Sequence, residues 1–299
     1  MKFFKDQPNY NIMAKKNLAA LLSLGLIVLG IGMFFAKGVT YGIDFKGGTL
    51  VQVQFNEAPE LGVLRTAFGD SISTAVSITS FGDDINNEVL ITLPQNAFSE
   101  KANISAEVKG ILNKKFNDYT VRRVETVGAK VGGELKEKAF NAAVFALVGI
   151  LVYVGLRFQL RYGVAAVIAL FHDVIITLGV FMLLDKEFTL TIVAAILTII
   201  GYSLNDTIVV FDRVRENVAK LPKSPLLDVI NRSINESLSR TILTSVTTFF
   251  VVFILFIFGG EIIHDFCFTM MIGLIVGTYS SIFVASPIVW FMDQRKRAR

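Results

Sequence analysis

Two constellations of ionisable and hydroxyl-bearing side chains lie inside stretches that are otherwise apolar. His172 and Asp173 sit about halfway along one run, and Tyr202, Ser203, Asn205, Asp206 and Thr207 lie in the next. A third run opens with Arg240 and carries Thr244, Thr247 and Thr248. An ionisable group at the middle of a membrane span costs roughly 2.5–3.5 kcal/mol on insertion scales, so its default reading is functional. Tyr202 and Asp206 are four residues apart and share a helix face, and Ser203 is three from Asp206. Asp206 precedes Arg213, the marker of the inner interface, by seven residues. At 1.5 Å per residue that is a depth of about 10 Å. There the carboxyl must be protonated, paired or open to a wet crevice. Arg240, at the inner end of its run, is the expected partner. His172–Asp173 reads either as a functional pair or as a hydrogen-bonded lock between helices. The threonine stripe reads as hydroxyls bonded to their own i−4 carbonyls.

Other motifs carry less. Gly201-Tyr-Ser203-Leu-Asn205 comes close to the G-x-S-x-G nucleophile elbow, but it lacks the last Gly and lies in a long apolar run rather than a strand-turn-helix. No P-loop or GxGxxG pattern is present. One Cys and two His exclude a disulfide framework, a Cys-based zinc site and c-type haem attachment. The expectation is a protein that is not an enzyme and holds no metal or cofactor. Gly273-x-x-x-Gly277, with Ser281 a turn later, reads as a small-residue packing face. Glu261, His264 and Asp265 read as solvated groups near the outer surface.

The elements that must position these residues are membrane spans. Of 299 residues, 53% are hydrophobic and 18% charged, against roughly 25% charged in a soluble chain. Mean hydropathy is +0.58. Six apolar runs, at residues 18–36, 140–156, 164–184, 188–211, 242–258 and 266–291, approach or exceed the roughly 20 residues that cross the hydrocarbon. Helices are the default, since lipid satisfies no backbone N–H or C=O. The first run is too long for a signal-peptide core and has no A-x-A-like site after it, so it is expected to remain as a span.

Charge sets the expected orientation. With both termini inside, the inner segments hold sixteen Lys and Arg, and the two short outer loops hold only Lys186. The basic tail at 295–299 is an inner anchor on the same rule. The expected organisation is an inner N-terminus (1–17), a first span (18–36), an outer segment (37–138), five spans (139–292) with an inner loop at about 212–240, and the tail (293–299).

The outer segment holds 12 Lys/Arg and 13 Asp/Glu, so it lacks the basic face of a nucleic-acid binder. Residues 49–55 alternate as a half-buried strand does. Residues 59–68 follow with Pro59 near a helix start, then strands are predicted at 73–81 and 88–93 around the turn at 83–87. A helix at 99–116 with Ser99 as its N-cap and a strand at 119–127 complete the order β-α-β-β-α-β. That is the ferredoxin-like split motif, which by itself names no function.

Read together, these residues form recognisable patterns. Tyr41-Gly-Ile-Asp44-Phe-Lys-Gly47-Gly48-Thr49 resembles the signature of the bacterial SecD and SecF proteins. Phe171-His172-Asp173-Val174, the stretch 201–217 from Gly201 through Asn205-Asp206-Thr207 to Asn217, and Ser237-Leu-Ser-Arg240-Thr241 resemble SecF in particular. The likeness runs from first span to basic tail, and the length is that expected of a separate SecF rather than a fused chain. The resemblance implies membership of the resistance-nodulation-division superfamily and a place in the bacterial inner membrane. It implies pairing with SecD and action with the SecYEG channel on a translocating preprotein, with YajC and the membrane insertase as further partners. It implies that inward proton flow drives movement of the outer domain in late translocation. It makes Asp206 the proton-pathway carboxylate and Arg240 its arginine, with Tyr202, Asn205, His172 and Asp173 in the same pathway. It assigns Asp44, Gly47 and Gly48 to the junction between span and outer domain. The alternatives are half of a small-molecule exporter of the same superfamily and a passive assembly scaffold.

Overall fold

The computed structural model describes residues 8–72, 76–81, 87–98, 103–157 and 159–297. Part of the expected second strand (73–75), most of the expected turn (83–86) and the expected cap Ser99 lie outside the described residues. The chain divides into two compact units, one of residues 41–141 and one of the residues before and after it.

The smaller unit contains an antiparallel sheet. Its elements are α2 (Ile43–Lys46), β1 (Gly48–Phe55), α3 (Leu61–Gly69), β2 (Ser77–Phe81), β3 (Glu88–Leu93), α4 (Ile104–Leu112) and β4 (Tyr119–Val127). The strand order is β2-β3-β1-β4, and every neighbouring pair is antiparallel. Alternation in β1 buries Val51, Val53 and Phe55, and alternation in β3 buries Val89, Ile91 and Leu93. Leu64 and Phe68 of α3 and Val108 and Leu112 of α4 close over that face to form one core. A bulge between Gln52 and Val53 breaks the β1–β4 register. Asn103 caps α4: its side chain accepts the Ala106 N–H at 3.3 Å. The edge strand β4 carries Arg122, Arg123 and Glu125, charges that discourage pairing with another chain.

The larger unit is helical. It comprises α1 (Lys16–Lys37), most of α5 (Ala129–Arg157), α6 (Leu160–Leu183), α7 (Leu190–Lys220), α8 (Leu226–Phe258), α9 (Glu261–Ser280), a π-helical turn (Ser281–Ala285) and α10 (Ser286–Arg297). Among the described residues, six helical stretches are long and apolar enough to cross a membrane. α6, α7 and α9 bury about half of their apolar stretches inside the unit, while α1, α5 and α8 present long apolar faces outward. The crossing of α1 and α6 is very close. A Cβ on Gly179 would sit 2.7 Å from the Gly30 Cα, so only glycine fits there.

Two sequence expectations are corrected. The segment 212–240, expected as a loop, is mostly helix: α7 runs to Lys220, α8 starts at Leu226, and only 221–225 connect them. Its polar residues hid an amphipathic pattern in which Val214, Val229, Ile230 and Ile234 are buried. Ion pairs at helical spacing support it: Arg213–Glu216, Lys220–Glu216 and Arg232–Glu236. The sixth apolar run is not one α-helix either. It is interrupted by the π turn, where the Ser286 hydroxyl donates to the Ser281 carbonyl at 3.0 Å.

The chain before α1 docks on the start of α8 through two asparagines four residues apart. Asn235 accepts the Tyr10 N–H at 2.8 Å and Asn231 accepts the Met13 N–H at 3.0 Å, while both side-chain amides donate to the Tyr10 carbonyl. Met13 is buried there.

Candidate functional site

Helical periodicity of α7 places Ser203, Asp206, Thr207 and Val210 on its buried face. Asp206 is 6% exposed. The Thr241 hydroxyl of α8 donates to Asp206 Oδ1 at 2.6 Å, and the Ser281 hydroxyl of the π turn donates to Oδ2 at 2.5 Å. Three helical segments thus meet on one carboxyl group. Arg240 is not one of its ligands: it is exposed, and no ion pair within 4.0 Å joins it to Asp206. One residue turns a helix by about 100°, so Thr241 makes the direct contact with Asp206, while the charge of its neighbour Arg240 acts on the carboxyl from beyond ion-pair distance.

His172 and Asp173 are 2% and 1% exposed and face into the helical unit from α6. His172 Nδ1 and Asp173 Oδ1 are 2.9 Å apart. Asp173 Oδ2 accepts from Ser203 of α7 at 2.6 Å and from Ser280 of α9 at 2.8 Å. The other imidazole nitrogen, Nε2, lies 3.1 Å from the Ser23 hydroxyl of α1. With Asp173 ionised, Nδ1–H donates to it and Nε2 accepts from Ser23. Tyr279 closes the set: its hydroxyl lies 3.0 Å from Ser23 Oγ and donates to the Ala19 carbonyl at 2.8 Å, and its ring stacks on His172. The buried Asp173 and Asp206 therefore lie in one unit, and the adjacent residues Ser280 and Ser281 each hold one of them.

Close packing makes this reach possible. A Cβ on Gly277 would be 3.1 Å from the Ser203 Cβ, and one on Gly273 would run into Ile199. The two glycines bring α9 against α7, so Ser203 and Ser280 both reach Asp173.

Other expected site residues lie elsewhere. Asn205 is exposed on α7. The Tyr202 hydroxyl is buried without a hydrogen-bond partner, and its ring packs against the cluster of Ile199, Cys267 and Met270 rather than joining Asp206. Thr244 and Thr247 bond the carbonyls of Arg240 and Leu243 at 2.9 and 2.8 Å, as their spacing implied. Asp265, expected to be solvated, accepts from Lys186 at 2.6 Å. The contacts of Ser23, Thr241, Tyr279, Ser280 and Ser281 were not foreseen. The one available signal was Thr278-Tyr279-Ser280-Ser281, four consecutive hydroxyls inside an apolar run. Among the described residues, no three His, Cys, Asp or Glu side chains converge as a metal site.

The Gly47–Gly48 pair, in the smaller unit, is explained by its backbone. Gly47 has φ +74° and Gly48 φ +138°. A Cβ at Gly47 would lie 2.9 Å from Ala129 backbone atoms, and one at Gly48 2.6 Å from the Leu93 carbonyl oxygen. Asp44 sits in the first turn of the short helix α2 that leads into this pair.

Comparison with known proteins gives a consistent result. The family model described as protein export membrane protein SecD/SecF, C-terminal, matches residues 107–295, and the SecD/SecF GG motif matches residues 32–59. The chain is 46% identical to the protein translocase subunit SecF of Calditerrivibrio nitroreducens, over 99% of each chain. It is 43% identical to that of Magnetococcus marinus, over 100% of this chain and 97% of the relative. Among solved structures it is similar to SecDF, a translocon-associated membrane protein from Thermus thermophilus, at TM-score 0.89 and 37% identity. That match covers 98% of this chain and 40% of the SecDF chain. SecDF in its super-membrane-facing form matches at TM-score 0.73 and 37% identity, over 99% of this chain and 40% of that one. The chain therefore spans nearly the whole of the curated relatives and two fifths of the SecDF chain. It belongs to the SecF family of protein translocase subunits and is a multi-pass membrane protein.

Proposed function

We propose that this chain is an accessory subunit of the Sec protein-export machinery that works with SecD and uses the proton-motive force in late preprotein translocation across the inner membrane. The observation that carries the reading is Asp206, a buried carboxylate gripped by two hydroxyls, with the Arg240 charge near it but not in contact. A hydroxyl donates to a carboxylate and accepts from a carboxylic acid, so this setting accommodates both states of Asp206 without breaking an ion pair. Each proton moved through 100 mV supplies about 2.3 kcal/mol. Arg240, one turn-position away from the Thr241 ligand, acts as a mobile counter-charge, and His172–Asp173 extends the pathway.

SecD supplies the other half. Gly201 and Asn205 of α7, with Arg240, Thr244 and Thr247 of α8, are exposed at or beside the apolar stretches of these helices. A polar stripe with a cation is costly against lipid, which supports a partner helix covering it. The remaining partners are SecYEG and the emerging preprotein, with YajC and the membrane insertase around them. Both termini face the cytoplasm in this reading, supported by the sixteen-to-one distribution of Lys and Arg. The smaller unit is then extracytoplasmic and ferredoxin-like, a reading supported by its element order and its β2-β3-β1-β4 sheet.

The test is export into inverted vesicles, with ATP present and the proton gradient switched on or off. Asp206→Asn keeps size and most hydrogen bonds but cannot titrate. It should assemble with SecD and lose the gradient-stimulated part of export. Wild-type stimulation in Asp206→Asn would leave the scaffold reading in place.

A further inference from the structure

The mechanism outlined above uses Asp206 and extends the pathway to His172–Asp173, but it gives no reason for a π turn in the last span or for two adjacent serines there. The hydroxyls of those serines share one property. Each has a single proton and two acceptors within reach. Ser281 donates to Asp206 Oδ2 at 2.5 Å and has the Thr278 carbonyl at 3.1 Å. Ser280 donates to Asp173 Oδ2 at 2.8 Å and has the Gly277 carbonyl at 3.1 Å. Both are fully buried, so water does not compete for the proton. Ser280 ends α9 and Ser281 begins the π turn, and such irregular turns recur at functional sites.

We propose that Ser280 and Ser281 are positioning residues that tie Asp206 and the Asp173–His172 pair to one turn of helix, so that a change at one carboxylate is passed to the other. This rests on the proton-carrier reading of Asp206 and deepens it. When Asp206 takes a proton, its carboxyl O–H becomes the donor and Ser281 Oγ the acceptor. The Ser281 proton then turns to the Thr278 carbonyl; no covalent bond to serine forms or breaks. That rearrangement moves the turn on which Ser280 also sits, and Ser280 loosens or tightens on Asp173. From Asp173 the contact chain continues through His172 to Ser23, and Tyr279 holds the Ala19 carbonyl of the same helix. α1 is the helix that leads along the chain into the smaller unit. The charged and titratable groups around this unit are His172 and Asp173 from α6, Asp206 from α7, Arg240 from α8 and Tyr279 from α9, while α1 offers the Ser23 hydroxyl.

The experiment has two arms, both on the full chain assembled with SecD. In inverted vesicles, gradient stimulation of export is measured relative to the same vesicles without a gradient. Ser280→Ala and Ser281→Ala should each lower the stimulation by about fivefold or more, the lower end of ordinary coupling between sites. In the second arm, a pH titration followed by infrared spectroscopy reads the carboxyl bands of Asp173 and Asp206, assigned by their loss in Asp173→Asn and Asp206→Asn. Asp206→Asn should displace the Asp173 transition in the wild-type background and leave it unmoved in the Ser280→Ala background. A purely structural role for the serines does not predict that loss of coupling. If Asp206→Asn loses stimulated export while both serine variants keep it, this proposal falls and the proton-carrier reading stands. If Asp206→Asn keeps it, the proton-carrier reading itself falls. Should Ser281→Ala fail to assemble with SecD, Ser280→Ala decides alone, because Ser280 has no contact with Asp206: normal stimulation with coupled transitions overturns the proposal.

Discussion

Gly273 of α9 lies directly against Ile199 of α7: a Cβ at position 273 would be 2.2 Å from the Ile199 Cδ1 and 2.8 Å from its Cγ2. Ile199 is itself buried and has little room to retreat. This contact brings α9 up to α7 one turn before Gly277 meets Ser203, and so sets the distance across which Ser203 and Ser280 share Asp173.

The first prediction follows from that contact. Gly273→Ala should destabilise the helical unit by about 1–3 kcal/mol through overpacking. Thermal unfolding in mild detergent checks it. Ile199→Ala in the same chain should recover much of the loss, whereas Gly277→Ala, whose Cβ meets Ser203 at 3.1 Å, should cost less.

Thr241→Val keeps the shape of the side chain and deletes one of the two hydroxyls on Asp206. A hydrogen bond to a charged group is worth roughly 1.5–3 kcal/mol, so the gradient-stimulated part of export should fall about tenfold or more. Arg240→Met leaves both hydroxyl bonds in place and removes only the nearby charge. It should also lose gradient stimulation, and a wild-type response from it would remove Arg240 from the pathway. Both variants are read in vesicles with the gradient on and off.

Gly48→Ala places a methyl group 2.6 Å from a backbone oxygen, at a φ of +138°. The backbone strain alone is about 1–3 kcal/mol. Amide hydrogen exchange in β1 and β3 should speed up accordingly. Gly62→Ala, in α3 with nothing within 4 Å of the added carbon, should instead stabilise the smaller unit by roughly 0.4–1 kcal/mol. Equal behaviour of the two variants would contradict the assigned backbone role of Gly48.

A reporter inserted after Asn86 should read as external, and fusions after Lys223 and Arg299 as internal. An internal signal at Asn86 would reverse the orientation and with it the direction of proton flow proposed above.

The six spanning helices were legible because a bilayer imposes a length, and apolar runs of that length stand out against 18% charged residues. Their ends were not. α7 and α8 continue as amphipathic helices through 212–220 and 226–240, where a hydropathy window sees only charge. Alternation was enough to find β1 and β3, since each buries every second residue on a single core face. Asn103 caps α4 because its side chain reaches the free Ala106 N–H of the first turn, which begins at Ile104, the first residue of the apolar stripe.

The candidate site divides in the same way. An Asp inside an apolar run carries its cost wherever it stands, so Asp206 and Asp173 were visible from residue type and depth alone. Their partners depend on rotation about helix axes and on which helices touch. A single step of about 100° gives Asp206 the Thr241 hydroxyl instead of the Arg240 guanidinium. The bond between Ser23 and His172 spans 149 positions of chain and requires Gly30 to lie against Gly179. Ser281, read from spacing as a packing residue, becomes a ligand of Asp206 because the π turn redirects the helix at that point. The sequence by itself determined where charge enters the membrane, since that cost is local; the tertiary structure alone decided what each charge meets, since contact depends on the packing of segments far apart in the chain.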